Sequence, residues 1–238
     1  MRENGYFLDL LQLDIAKYPV IAVVGGGGKT SLIYRLNEEL QARKKKVIIS
    51  TTTHMAYDSL LPLVTGKELE KVPAMLEKYG YTAVADLEED TGKMCSIKEE
   101  ELKKLVPFCD VMLIEADGAK RKPLKVPAEW EPVIPSFADV VVSVIGLDCL
   151  GKPICQTAHR AEYTSSFLKK NMDAPVTVQD IEKIATSIHG LYKNVDHKVY
   201  RVYLNKVDVL PDEKEAEHIV ADLAKQGIVA AYGKIRGK

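Results

Sequence analysis

The stretch Gly25-Gly26-Gly27-Gly28-Lys29-Thr30-Ser31 decides the fold class of this chain. The apolar run at residues 19–24 precedes it and is typical of a fully buried strand, and residues 29–40 follow it with apolar side chains at helical spacing. A second apolar run, residues 47–50, completes a strand–helix–strand unit. Such a unit predicts a parallel sheet with a right-handed crossover.

The rest of the chain continues the same alternation. Apolar runs at residues 111–114, 140–145 and 199–204 are predicted as further strands, and residues 159–170, 178–189 and 212–225 as helices. We predict an α/β fold like that of P-loop nucleoside triphosphatases, a mainly parallel sheet flanked by helices on both faces, in a single domain 1–238. Residues 60–105 are predicted as an insertion at the sheet edge, with a hairpin that pairs residues 82–85 with 94–97 across Asp90-Thr91-Gly92-Lys93.

Composition excludes several classes of protein. The chain has 238 residues with 33 basic and 34 acidic side chains, so it has no overall positive field to collect nucleic acid or an anionic membrane. Its apolar runs are shorter than the roughly 20 residues of a membrane helix. Four cysteines show no CxxC spacing, which favours reduced thiols and a cytoplasmic location.

The glycine stretch has the chemistry of a phosphate-binding loop. Successive glycine N–H groups and the positive end of a helix can surround phosphate oxygens. Lys29 would bridge the β- and γ-phosphates, the Thr30 hydroxyl would coordinate Mg²⁺, and Ser31 is a further candidate donor. Gly25, Gly26, Gly27 and Gly28 complete the predicted nucleotide site. Val23 departs from the usual motif, whose first glycine belongs at that position.

Two carboxylates follow the strand at residues 111–114. Glu115 and Asp117 are two positions apart, so both side chains point to the same side of the strand. One can hold Mg²⁺ through a water and the other can orient the attacking water, and the spacing leaves open which does which. We predict Lys29, Glu115 and Asp117 as catalytic residues and Thr30 with Asp117 as magnesium ligands.

A third motif, Asn205-Lys206-Val207-Asp208, matches the NKxD pattern with which P-loop GTPases recognise guanine. The Asp208 carboxylate can accept from N1–H and the exocyclic amino group of guanine, which adenine cannot offer. Lys206 would cover the base, and Asn205 would fix the loop. The motif favours GTP over ATP as the bound nucleotide.

Weaker candidates for switch or substrate contacts lie at other strand ends. Hydroxyls after the second strand can reach Mg²⁺ or the γ-phosphate, and the basic stretch after Asp117 can neutralise transition-state charge or meet an acidic substrate. The alternatives are that the hydroxyls cap the next element, that His159 and Arg160 are a surface pair at the start of a helix, and that the basic stretch is a solvated loop. These candidates are Thr52, Thr53, His54, Lys120, Arg121, Lys125, Asp148, His159 and Arg160.

Residues 23–30, 50–54, 114–127 and 144–153 together resemble the YqeC family, and the most specific part is Glu-Ala-Asp-Gly followed by Lys-Pro-Leu-Lys at residues 122–125. Members of that family are regarded as accessory proteins of selenium-dependent molybdenum hydroxylases. The three motifs are also similar to those of SIMIBI-class GTPases, which include nickel-insertion chaperones. The resemblance implies a nucleotide-gated maturation step, with a molybdenum hydroxylase or its cofactor as partner.

Three functions therefore remain open on the sequence. The first is a slow Mg²⁺-dependent nucleoside triphosphatase, with GTP or ATP as ligand, that acts in maturation. The second is a small-molecule kinase or phosphoryl transferase, and the third is a non-catalytic nucleotide-binding module. The sequence leaves the oligomeric state open.

Overall fold

One parallel sheet of eight strands organises the molecule, whose computed structural model describes residues 6–235. Across the sheet the strands lie in the order β8-β7-β6-β1-β5-β2-β4-β3, and all neighbours run parallel. The predicted α/β fold is confirmed. The strands are β1 (Val20–Gly25), β2 (Val47–Thr51), β3 (Leu63–Val64), β4 (Tyr81–Val84), β5 (Val111–Glu115), β6 (Val140–Gly146), β7 (Val199–Asn205) and β8 (Val229–Gly233).

Helices cover both faces of this sheet, because alternate strand residues point to opposite sides. Ile21 and Val23 of β1 join a core with α1 and α2, whereas Val20, Ala22 and Val24 join a second core with α3, α4, α7 and α8. No helix in the described part of the chain is long and apolar enough to cross a membrane. The helices are α1 (Phe7–Leu10), α2 (Lys29–Ala42), α3 (Val72–Tyr79), α4 (Glu99–Lys104), α5 (Ile154–Thr157), α6 (Ala161–Leu168), α7 (Val178–Thr186) and α8 (Lys214–Lys225).

The segment 60–105 extends one edge of the sheet through β3 and β4. The prediction that residues 82–85 form one arm of a hairpin is wrong, because β4 pairs in parallel with β2 and is buried there. The hairpin arm is Asp86–Leu87, which pairs antiparallel with Met94–Cys95. His54–Met55 adds a third strand to this small sheet. Burial of residues 82–84 in the main sheet therefore takes precedence over local pairing across the turn.

Strand β1 is the topological switch point of the sheet, where the order in which strands are added reverses from one side to the other. Strands β2 to β5 lie on one side of β1, and β6 to β8 lie on the other. In open α/β sheets, ligands bind outside the carboxyl ends of strands at such a point. The pairing register places Val23 opposite Glu115 and Gly146 opposite Asn205, so three of the strand ends singled out by the sequence lie at one edge.

Candidate functional site

The glycine loop between β1 and α2 is tightly enclosed by backbone. Gly25, Gly27 and Gly28 have positive φ angles of 95°, 78° and 135°. A Cβ on Gly25 would lie 2.3 Å from the Val144 oxygen, and one on Gly27 would lie 2.3 Å from the Gly146 nitrogen. Both the φ angles and the close approach therefore require glycine. Val23, by contrast, is fully buried in β1 and serves as a core residue.

Three of the glycine N–H groups donate to protein acceptors in this structure. Gly25 N donates to Asp117 Oδ2 at 3.0 Å, Gly26 N to the Val144 oxygen at 2.8 Å and Gly27 N to the Lys122 oxygen at 3.0 Å. The predicted inward cradle of successive glycine amides is therefore not the arrangement found. The first turn of α2 still presents N–H groups that have no acceptor within the helix, which is the feature that attracts anions.

Lys29 is held at the centre of the site. Its side chain is only 5% exposed, and its Nζ donates to the Gly25 oxygen at 2.7 Å. The same nitrogen lies 3.1 Å from Asp117 Oδ1 and 3.9 Å from Glu115 Oε1. Burial alone would lower the pKa of Lys29, but the charges of Asp117 and Glu115 outweigh it and raise the pKa above the usual lysine value. Lys29 is therefore a buried ammonium held by two carboxylates.

Glu115 is the carboxylate that contacts Thr30. The Thr30 hydroxyl donates to Glu115 Oε2 at 2.6 Å. Burial raises the pKa of Glu115, while Lys29 and the hydroxyl of Thr30 oppose the rise. The prediction paired Thr30 with Asp117, whereas the structure brings together Thr30 and Glu115. The sequence spacing could not show which carboxylate contacts Thr30, because Glu115 and Asp117 lie on the same side of the strand end.

Asp117 lies instead between two lysines. Lys125 Nζ is 3.2 Å from Asp117 Oδ2 and 2.9 Å from Glu131 Oε2, and the Lys125 side chain is fully buried. Lys125 was predicted as a contact for substrate or transition state, and in this structure its ammonium group is held in ion pairs with Asp117 and Glu131. Lys125 and the hydrogen bond from Ala128 N lower the pKa of Glu131 despite its burial. The sequence reasoning missed Glu131, and no motif marks it.

Asn205 connects the end of β7 to the glycine loop. Its Nδ2 donates to the Gly27 oxygen at 2.7 Å, and its Oδ1 accepts from Lys206 N at 2.8 Å and from Ile235 N at 3.0 Å. A Cβ on Gly28 would lie 2.4 Å from the same Nδ2. One buried amide side chain therefore fixes the loop, the start of the NKxD segment and the chain after β8.

The two charged residues of the NKxD segment have protein partners. Lys206, whose backbone is left-handed with a φ of 64°, places Nζ 2.7 Å from Asp148 Oδ2. Asp208 is exposed, and its Oδ2 lies 2.7 Å from Lys234 Nζ. Lys234 follows β8 and was not predicted, because its contact with Asp208 depends on the neighbouring strands β7 and β8.

Comparison with known proteins identifies the family. A family model described as YqeC protein matches residues 21–162, which is more than half of the chain. The uncharacterized protein YqeC of Escherichia coli (strain K12) is 36% identical over 204 residues, covering 82% of this chain and 78% of that protein. The chain belongs to the YqeC family. The hydrogenase maturation factor HypB from Archaeoglobus fulgidus is also similar, with 15% identity, a TM-score of 0.41 and coverage of 95% of this chain and 85% of that one.

The threonines at the end of β2 and directly after it adjoin the site of this YqeC-family protein. Thr51 donates through Oγ1 to the Glu115 oxygen at 3.0 Å, and Thr52 donates to the Val133 oxygen at 2.7 Å. Thr53 Oγ1 is buried and has no hydrogen-bond partner within residues 6–235. His54 is exposed and lies 3.5 Å from Glu88 in the small antiparallel sheet, so the structure groups it with that sheet.

The remaining predicted contacts form a basic border. Lys120 and Arg121 are exposed in the turn before Lys122, whose backbone oxygen holds the glycine loop. His159 pairs in register with Lys125 in a two-residue parallel ladder, and Arg160 Nη1 lies 2.6 Å from Glu131 Oε2. A continuous chain of ion pairs therefore runs from Lys29 outward. Its members are Lys29, Asp117, Lys125, Glu131 and Arg160.

Proposed function

We propose that this YqeC-family protein binds a nucleoside triphosphate with Mg²⁺ at residues 25–31, prefers GTP, and hydrolyses it slowly. The proposal includes a role as a maturation factor for a selenium-dependent molybdenum hydroxylase. The observation that carries the nucleotide part is the convergence of Lys29 and Thr30, at the start of α2, with two carboxylates at the end of the adjacent strand. The hydroxylase part rests on the family resemblance alone.

Phosphate binding would use the first turn of α2 and the Lys29 ammonium. Both are positive, and Lys29 lies at the position from which a lysine reaches the β- and γ-phosphates in a phosphate loop. A triphosphate would have to replace Asp117 as the partner of Lys29 and of Gly25 N. On binding, phosphate would therefore take the place of the Asp117 carboxylate beside Lys29 and Gly25 N. Lys125 would remain as the counter-charge of Asp117.

The residues present fit magnesium, which prefers oxygen ligands. The Thr30 hydroxyl and the Glu115 carboxylate lie 2.6 Å apart, so two oxygen donors are already together beside Lys29. We propose that the Thr30 hydroxyl would be a ligand of Mg²⁺. Glu115 would be the carboxylate that binds the ion, directly or through a water molecule. When bound, Mg²⁺ would neutralise charge on the phosphate oxygens. Asp117 is assigned to positioning of the loop.

Base selection would depend on Asp208. Its carboxylate is exposed and accessible, with Lys234 as an exposed partner. Surface ion pairs contribute little free energy, so guanine can compete for the Asp208 oxygens at small cost. Asn205 would set the distance between this base contact and the phosphates, because it bonds the glycine loop directly.

The proposed gating step follows from contacts between the loops. Lys122 accepts from Gly27 N, and Thr52 donates to the Val133 oxygen, so the segment around residues 120–135 is bonded both to the glycine loop and to the end of β2. A nucleotide that changes the hydrogen-bond partners of the glycine loop would therefore alter the segment around residues 120–135. We propose that a partner protein docks on this segment.

Calorimetric titration of GTP, ATP and GDP in the presence of Mg²⁺ tests the proposal. We expect GTP to bind more tightly than ATP and GDP, with slow release of inorganic phosphate in a separate turnover assay. Equal affinity for GTP and GDP with no turnover would favour the non-catalytic module. Transfer of phosphate to a small acceptor instead of water would favour a kinase, and absence of nucleotide binding would overturn the proposal.

A further inference from the structure

Three metal-ligating side chains meet between α7 and α8, and none of them belongs to the proposed nucleotide site. Glu182 lies on α7, whereas His218 and Asp222 lie four positions apart on α8 and so share one face of that helix. One ligand atom of each residue lies within 4.8 Å of the other two. Within residues 6–235, no other group of histidine, cysteine or acidic side chains meets this condition.

The His218 ring lies between the two carboxylates. Its Nε2 is 3.4 Å from Asp222 Oδ2 and 4.0 Å from Glu182 Oε1. Two ligands that each bind one tetrahedral zinc ion at about 2.1 Å lie about 3.4 Å from each other. The distance to Asp222 already has this value, and the distance to Glu182 is only slightly longer. A small side-chain movement would therefore bring the three atoms to one ion.

The Glu182 oxygen that faces His218 has no hydrogen-bond partner. Oε1 is buried and accepts no hydrogen bond from any group in the part of the chain that the structure describes. The Glu182 side chain as a whole is only 18% exposed. Buried charged groups are normally paired, hydrogen-bonded or bound to a metal, because burial without a partner costs free energy. The oxygen without a partner is therefore the one in position to bind an ion beside His218.

Asp222 has one oxygen available on the side of His218. Lys225 Nζ donates to Asp222 Oδ1 at 2.6 Å, while Oδ2 is the oxygen that faces the His218 ring. Carboxylates that bind metals commonly accept such an additional hydrogen bond, which orients the ligand. Lys225 therefore fixes the orientation of Asp222 and leaves Oδ2 free.

Core packing fixes the two helices that carry these ligands. Ile181 and Ile184 of α7 belong to the same buried core as Ile219 and Leu223 of α8, and the two helices are in contact. Each ligand adjoins one of these core residues in sequence. The ligand positions are therefore held by packed helices, which is the arrangement that gives a defined metal geometry.

We propose that Glu182, His218 and Asp222 form a second metal site, which takes a divalent transition ion such as Zn²⁺ and joins α7 to α8. One imidazole nitrogen with two carboxylate oxygens suits zinc, whereas magnesium prefers oxygen ligands alone. Three protein ligands leave a fourth position for water. Because the site shares no residue with the proposed nucleotide site, its test is independent of the proposed function.

Calorimetric titration of Zn²⁺ into nucleotide-free protein tests this site. The wild type is compared with Glu182→Gln, His218→Gln and Asp222→Asn, each freed of metal with EDTA that is then removed. We expect saturable binding in the wild type and an affinity weaker by about tenfold or more in each variant, because loss of an outer-shell partner alone costs about 10- to 100-fold. Mg²⁺ should not compete.

Two control variants address other zinc ligands on the surface. The His54 side chain is 57% exposed, as is that of His218, but its carboxylate neighbour in the ion pairs is Glu88 alone, at 3.5 Å. Cys155 is an exposed free thiol. His54→Gln and Cys155→Ser should each keep the wild-type affinity for Zn²⁺.

Three results would overturn the proposal. One is the absence of saturable Zn²⁺ binding in the wild type, which would leave the three residues as an ion-pair cluster. Another is wild-type affinity in both Glu182→Gln and His218→Gln. The third is a loss in His54→Gln or Cys155→Ser as large as that in His218→Gln, which would place the ion at the control residue.

A measurement on the wild-type protein avoids any dependence on folding of the variants. The chain has five histidines, so the C2–H proton signal of His218 can be followed by NMR and assigned with His218→Gln. Zn²⁺ added below one equivalent should shift or broaden the His218 signal before that of His54. A His218 signal that stays unchanged while another histidine responds would contradict direct binding at His218.

Discussion

Lys29 Nζ lies 3.1 Å from Asp117 Oδ1, and the other oxygen of the same carboxylate accepts from Gly25 N at 3.0 Å. Asp117 therefore holds both the side chain and the backbone of the glycine loop. Because Lys125 Nζ lies 3.2 Å from Asp117 Oδ2, the carboxylate is shared between two buried lysines. A phosphate group entering the loop would compete with Asp117 for donors that are already oriented.

Asp117→Asn should destabilise the fold strongly. The change leaves the buried ammonium groups of Lys29 and Lys125 without their shared counter-charge, and breaking a buried ion pair on one side costs about 3–5 kcal/mol. Urea unfolding measures the loss. Glu77→Gln, which breaks the exposed pair with Lys46, should cost far less, because solvent screens surface ion pairs. Equal losses in the two variants would show that Asp117 is not a buried counter-charge.

Lys29→Ala should weaken triphosphate binding by about 1.5–3 kcal/mol, because it removes a charge-assisted contact to phosphate. Calorimetry with GTP and Mg²⁺ gives the difference, and circular dichroism checks that the variant folds. Ser31→Ala, at the exposed position two residues later, serves as a milder comparison within the same helical turn. Unaltered affinity in a folded Lys29→Ala would remove the basis for a phosphate loop.

Glu115→Gln and Asp117→Asn separate the two carboxylates by their effect on magnesium. Because Thr30 donates to Glu115, we expect Glu115→Gln to reduce the dependence of triphosphate binding on Mg²⁺. Asp117→Asn should keep that dependence wherever enough folded protein is present. Affinities measured with Mg²⁺ and with EDTA provide the test. The reverse pattern would return the magnesium role to Asp117.

Asp208→Ala should abolish the preference for guanine and leave binding of the triphosphate group in place. Lys234→Ala, which removes the 2.7 Å partner of Asp208, is the companion variant and should retain the preference. The ratio of GTP to ATP affinity, measured by calorimetry, is the relevant quantity. If Asp208→Ala keeps the wild-type ratio, base selection lies elsewhere.

The stability of the protein should fall as the pH drops below the ordinary range of histidine ionisation. The pKa of His159 is lowered from 6.5 by burial and by the charges of Lys125, Arg160 and Lys120, with Glu131 opposing. Below about pH 6.5 the unfolded chain binds a proton before the folded one does, so stability is present above that pH and is lost on acidification. Urea unfolding of wild type and His159→Gln at about pH 7 and pH 5.5 measures the difference.

The His159→Gln variant should show a smaller loss on acidification than the wild type. The control is His189→Gln, an exposed histidine whose replacement should leave the wild-type loss unchanged. A wild-type stability that rises on acidification over this range, with the rise removed by His159→Gln, would contradict the assigned direction.

Local patterns were enough to predict much of the architecture. Continuous apolar runs mark β1, β2, β5, β6 and β7 because strands buried on both faces need them, and the glycines mark the turn into α2. The edge segment was predicted less well. Its strands β3 and β4 are short, and their pairing with the main sheet depends on neighbours distant in sequence.

The sequence by itself determined which residue types gather at the end of β1, since Lys29, Glu115 and Asn205 each follow a recognisable strand or lie in a motif. Tertiary structure alone decided how they pair: Glu115 with Thr30, Asp117 between two lysines, and Lys125 buried against Glu131. The physical reason is that strand ends are specified by local hydrophobic pattern, whereas ion pairs are chosen by distance and burial. Both of those depend on the assembled sheet.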